Sequence, residues 1–233
     1  MEATMNVNHA RKSSVLPMCI IGLLFFIFGF VTWLNGSLIP LLKIICELNE
    51  FQALFVTFAF YIAYTVMAFP MSYILKKTGY RDGMAIGLGI MAIGALGFIP
   101  AALTAHYAVF LVSLFILGTG LTILQTASNP YVVHIGPVSS AAMRISIMGI
   151  INKLAGVVAP VVITAVVLSD MGDYSEATLN ALDEVTKQAR LSELSQQLIM
   201  PYVVIAIVLF ALIGLIKLSN LPDIEFESEE DNV

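Results

Sequence analysis

The chain has 233 residues, 59% of them hydrophobic and only 12% charged, with a formal net charge of −5. Fractions so far from those of water-soluble domains mark lipid as the solvent this chain is built for. The negative balance points to no basic partner and no nucleic acid, because six of the sixteen acids are crowded between Asp223 and Asp231.

In chain order, segment 1–15 reads as a tail. Arg11 and Lys12 then precede an apolar run, as in a signal peptide, but the run continues past about twenty residues and holds Trp33 and Asn35, which predicts a retained span. Six segments are long and apolar enough to cross a membrane: 16–41, 51–75, 84–103, 107–133, 142–168 and 198–219. Runs this continuous exclude the alternating strands of a membrane barrel, so the predicted class is an all-α membrane protein of six transmembrane helices. Segment 169–197 carries Asp, Glu, Lys and Ala at helical spacing and predicts a surface helix; 220–233 reads as an acidic tail. Cys19 and Cys46 would stand about 40 Å apart along the first helix, which excludes a disulfide.

With the N-terminus cytoplasmic, Arg11, Lys12, Lys76, Lys77, Arg81, Arg144 and Lys217 fall inside and Lys43, Lys187 and Arg190 outside, as the positive-inside rule requires. The remaining cation, Lys153, lies within the fifth span, and none of the acids lies within any span.

The polar residues inside the spans form stripes. The first helix has Thr32 and Asn35 before Pro40, and the second has Thr57, Tyr61 and Tyr64. The fourth has Thr122, Gln125 and Asn129 before Pro130, and the fifth has Ser146, Gly149, Asn152 and Lys153. Steps of three and four place each set on one helix face. The third helix offers Gly87, Gly89, Gly94 and Gly97 and the sixth is aliphatic, as expected of helices that pack or meet lipid. An Asn followed by a proline recurs on the first and fourth helices, at the start of each group of three. That pattern fits an inverted 3+3 repeat with a site near the midplane.

Lys153 lies about twelve residues, or roughly 18 Å, into its helix. A charge at that depth costs about 2.5–3.5 kcal/mol, so it faces a watery cavity, pairs with an acid elsewhere, or is neutral. His134 and Arg144 flank the fourth-to-fifth loop, where headgroups or helix ends are the expected contacts. An intramembrane enzyme would need a buried His with a nucleophile, paired aspartates or a metal cluster. His9, His106 and His134 lie far apart near membrane edges, so neither an enzyme nor a cofactor is expected.

The stretches FFIFGFVTWLNGSLIPLLK, NEFQALFVTFAFYIAYTVMAFPMSYILKKTGYRDG, LGTGLTILQTASNPYVVHIGP and RISIMGIINKLAGVVAP resemble the fucose and glucose/galactose permeases of the major facilitator superfamily, from about Phe25 to Pro160. Within them SYILKKTGYRDG looks like the superfamily's loop motif, with Gly79 and Arg81 in place but Lys76 where an Asp is usual. The resemblance implies twelve helices in two six-helix halves with the cavity between them. This chain would then be the N-terminal half of a truncated permease in the bacterial inner membrane, with LPDIEFESEEDNV as the start of the connector and a C-terminal six-helix half as partner.

Proton symporters of that family keep acids where this chain has Gly36 and Gln125, neither of which ionises, so the fucose mechanism is not expected to transfer. The resemblance implies ion-coupled uptake, by Na+ or H+, of a hexose of the glucose, galactose, fucose or N-acetylglucosamine class. Amides that both donate and accept make Gln125, Asn129, Asn35 and Asn152 candidate substrate contacts, although intramembrane amides also tie helices together. Trp33 and Tyr61 offer aromatic faces, and Lys153 completes the candidate set. The alternative is a non-transporting half-permease that acts as an assembly or regulatory partner.

Overall fold

The computed structural model describes residues 2–166, 178–179, 181–219 and 221–222. Every regular element among them is helical. The first helix spans Glu2–Ile45, so helical backbone extends into the segment read as a tail. The second and third form one continuous element, Glu50–Thr104. The fourth spans Tyr107–His134, the fifth Ala141–Val166 after a short turn at Val138–Ser140, a surface helix Glu184–Gln196 and the sixth Ile199–Leu218. Six stretches are long and apolar enough to cross a membrane: Leu16–Ile45, Glu50–Met67, Tyr73–Thr104, Tyr107–His134, Val138–Ala165 and Glu184–Leu218. A helix stands where the surface helix was expected, and by length and composition it joins the last helix in one apolar stretch; most of 169–180 lies outside the described residues.

Local chemistry fixes the turns. Asn49 and Gln52 form a reciprocal capping box, each side chain accepting from the other's backbone N–H at 2.8 and 3.0 Å, which starts the second helix. No loop separates the second and third helices. The chain stays helical through the basic stretch apart from Gly79, whose φ of 69° and ψ of 178° are open to glycine alone.

The third helix packs on the fourth through a glycine seam. A methyl group at Gly120 would stand 2.4 Å from the Met91 backbone nitrogen, and one at Gly94 would stand 2.6 Å from that of Leu117. Backbone therefore meets backbone, as small residues allow in lipid. The third helix also holds the sixth, with the Phe98 and Tyr202 rings stacked 3.7 Å apart at 4°. The first helix has its main partner in the fifth, with few contacts to the second.

At the end of the bundle that carries the basic residues, Arg81 donates to the carbonyls of Ile216, Lys217 and Ser219, and Lys217 pairs with Asp82 at 2.8 Å. Arg81 thus closes the third helix onto the end of the sixth. Arg144 is buried and donates to the carbonyls of Val132, Val133, Gly136 and Pro137 and to Ser140 Oγ, which settles it on a helix end. His134 stacks beside Tyr80. At the opposite end Lys43 pairs with Glu50, Lys187 with Glu47, and Ser195 Oγ donates to the Ala102 carbonyl at 2.7 Å. Cys19 and Cys46 are free thiols.

Candidate functional site

Six of the seven candidate residues share a depth. Trp33, Asn35, Tyr61, Gln125, Asn152 and Lys153 lie nine to twelve residues from the nearer end of their helices, by subtraction from the helix bounds. That is about 14–18 Å at 1.5 Å per residue, the midplane of a hydrocarbon core about 30 Å thick. Asn129 lies only five residues from His134, nearer the basic end, and is exposed.

The first and second helices bring Asn35 and Tyr61 to one cavity of about 130 Å³, lined also by Thr32, Gly36 and Thr57. Asn35 is 6% exposed and neither polar atom of its amide has a partner. The Thr32 hydroxyl donates to the Phe28 carbonyl at 2.7 Å, so its oxygen offers lone pairs. Pro40 has no N–H to return to the Gly36 carbonyl, which frees that acceptor from its usual helical bond. Gly36 itself faces open space, with nothing within 4 Å of where a β-carbon would stand. Donors and acceptors without internal partners are what a hydroxylated ligand or water would satisfy.

A second pair joins the second helix to the fourth. Tyr61 stacks on Tyr64 with ring centroids 6.0 Å apart, and Tyr64 in turn lies beside the Gln125 side chain. Tyr64 lies on the polar stripe of its helix but was not among the expected contacts. Its i, i+3 spacing from Tyr61 was the available signal.

The third group bridges the first and fifth helices. The Lys153 ammonium lies 5.6 Å from the centroid of the Trp33 ring, within cation–π range. Asn152 turns the other way. Its Nδ2 donates to the Phe25 carbonyl at 3.1 Å, and its amide fills the space where Gly29 lacks a side chain. At least half of the Asn152 amide is thus engaged in tying two helices. The seven candidates therefore resolve into Asn35 with Tyr61, Trp33 with Lys153, Gln125 reached through Tyr64, Asn152 at a helix contact, and Asn129 apart near the basic end.

The Major Facilitator Superfamily profile matches residues 21–224. The chain is 35% identical over 218 residues to a glucose/galactose transporter of Brucella abortus, covering 94% of this chain and 49% of that protein. It is 31% identical over 220 residues to the L-fucose-proton symporter of Escherichia coli, covering 94% of this chain and 50% of that one. Two crystal structures of the fucose:proton symporter superpose with TM-scores of 0.81 and 0.82 at 30% and 31% identity, over 94% of this chain and 53% and 54% of theirs. The chain spans about half the length of the curated relatives it matches, and its six helices correspond to the N-terminal half of that fold. It is a multi-pass membrane protein, and it belongs to the Major Facilitator Superfamily.

Proposed function

We propose that this bundle forms one wall of a sugar-translocating cavity and serves ion-coupled uptake of a hexose of the glucose, galactose, fucose or N-acetylglucosamine class. The observation that carries the reading is the midplane set. Asn35, Tyr61, Gln125, Trp33 and Lys153 stand at one depth on four helices, and the Asn35 amide is left without internal partners. A sugar needs such paired donors and acceptors beside an aromatic face.

The opposing wall is a second six-helix half, since open polar groups at midplane depth are tolerated only against a watery or protein-lined space. Excess Lys and Arg at the end carrying Arg81, Arg144 and Lys217 supports a cytoplasmic N-terminus in a bacterial inner membrane. The coupling ion is Na+ or H+, and no titrating carboxylate of this half serves it, because the acids that fall within the spans are engaged elsewhere: Glu50 with Lys43, Asp82 with Lys217, Glu193 with Arg190, and Glu184 with the Gln188 amide. The test is uptake of radiolabelled galactose, glucose and fucose by vesicles expressing the chain with and without a C-terminal half. Uptake that requires both and collapses with the ion gradient supports the reading. Binding of none of the three sugars by either preparation refutes it.

A further inference from the structure

Lys153 is the only cation deep within the spans, and its surroundings leave its charge uncompensated. It is exposed at about 18 Å from the helix end, where insertion of a charge costs about 2.5–3.5 kcal/mol and calls for an anion or water. No carboxylate among the described residues pairs with it, and the acids that fall within the spans have other partners: Glu50 with Lys43, Asp82 with Lys217, Glu193 with Arg190, and Glu184 with the Gln188 amide. Its described partner is the face of Trp33, and a cation–π contact leaves the charge in place.

Trp33 is itself held in position. A methyl group at Gly156, one turn beyond Lys153, would stand 2.6 Å from Trp33 Nε1 and 2.8 Å from Cδ1, so the ring lies directly on the fifth-helix backbone. The side of the ring that remains open makes Trp33 45% exposed. A ligand ring resting on that indole therefore carries its substituents past the Lys153 ammonium. Asn35 and Tyr61 can read hydroxyls, but they cannot neutralise a cation.

We propose that the cavity takes a pyranose bearing a carboxylate, of the uronic-acid class, with its ring against Trp33 and its carboxylate on Lys153. This rests on the transporter reading above and extends its substrate from neutral hexoses to an anionic sugar of the same ring. A neutral hexose leaves the ammonium unpaired, whereas the acid supplies a charge-assisted hydrogen bond.

Trp33 is the single tryptophan of the chain, so its fluorescence reports on this position. The full chain in nanodiscs, together with a tryptophan-free C-terminal half where uptake requires one, is titrated with sodium galacturonate, galactose and sodium acetate. Galacturonate is expected to half-saturate the change at a concentration about tenfold or more below that of galactose, the difference a charge-assisted contact makes. Acetate, which has the charge but no ring, should give no saturating change. Lys153→Arg should keep the preference and Lys153→Met should lose it. Galactose binding as tightly as galacturonate to the wild type overturns the inference and leaves the sugar-transport reading standing. A preference unchanged in folded Lys153→Met also overturns it. Binding of neither sugar overturns both readings. Should Lys153→Met fail to insert, the wild-type comparison and Lys153→Arg still decide.

Discussion

Replacement of Arg144 by methionine should unfasten the end of the fourth helix. The guanidinium reaches Val133 at 2.7 Å, Val132 at 2.9 Å, Pro137 at 3.0 Å and Gly136 at 3.3 Å, together with Ser140 Oγ at 2.6 Å. In a continuing helix the Val133 carbonyl would bond the N–H four residues on, but that residue is Pro137, which has none. Arg144 is the substitute donor. Water at the bundle end can take over the Gly136 and Pro137 carbonyls, so the loss is concentrated at Val132 and Val133. Two charge-assisted bonds at about 1.5–3 kcal/mol each give an expected destabilisation of about 3–6 kcal/mol. Arg144→Lys, with a single ammonium in place of the planar fork, should recover less than half of it. Unfolding of the purified chain in micelles by graded SDS, followed by circular dichroism, reads the difference. Stability of Arg144→Met within about 0.5 kcal/mol of wild type, the range of an ordinary surface substitution, would refute this account of the helix end.

In a complete permease carrying this segment, Gln125→Ala should weaken sugar binding by about 1–3 kcal/mol, the usual cost of an unpaired buried partner, and equal affinity would reduce Gln125 to a link to Tyr64. Gln125→Glu should make uptake more pH-dependent in the same assay. Gly120→Val should destabilise by at least about 1–3 kcal/mol through forced separation of the third and fourth helices, while Gly214→Val, with nothing within 4 Å, should be near neutral; thermal melts compare them. Burial pushes the Cys46 thiol up to about 11. Because the thiolate is the reactive form, iodoacetamide labelling of Cys46 in a Cys19→Ser background should rise about tenfold per pH unit to about pH 10, and a plateau near pH 8.5 would contradict it.

Hydropathy and polar spacing made the six spans and the midplane stripes readable, because lipid forces every backbone group into a helix and every polar side chain to a face. The join between the second and third spans was not readable. The run from Lys76 to Asp82 looks like a loop by composition, but helical geometry passes through it with one glycine break. The direction of each amide was equally hidden. Asn35 and Asn152 look alike in sequence, yet one is unpartnered and the other donates to Phe25, a difference set by Gly29 on a helix more than a hundred residues away. Sequence left Arg144 between headgroups and helix ends, and the helix end it holds was not specified because its carbonyl partners carry no side-chain signal.

The main packing of the first helix against the fifth has a consequence for biosynthesis. The third and fourth helices are neighbours in the chain and can close their seam as soon as both have left the ribosome. The first helix must wait for a partner that begins at Ala141. At about 5–20 residues per second, the stretch from Ile45 to Ala141 takes roughly 5–20 s to synthesise. During that interval the Phe25 carbonyl side of the first helix, Gly29 and the Trp33 ring face lipid or the insertion machinery. The contact that joins Trp33 to Lys153 therefore forms late, followed only by docking of the sixth helix onto the third, and the first span is where factors that shelter single helices are expected to act. Photocrosslinkers at Gly22 or Gly29 should capture such factors from chains arrested before Ala141 and lose them once the fifth helix has emerged.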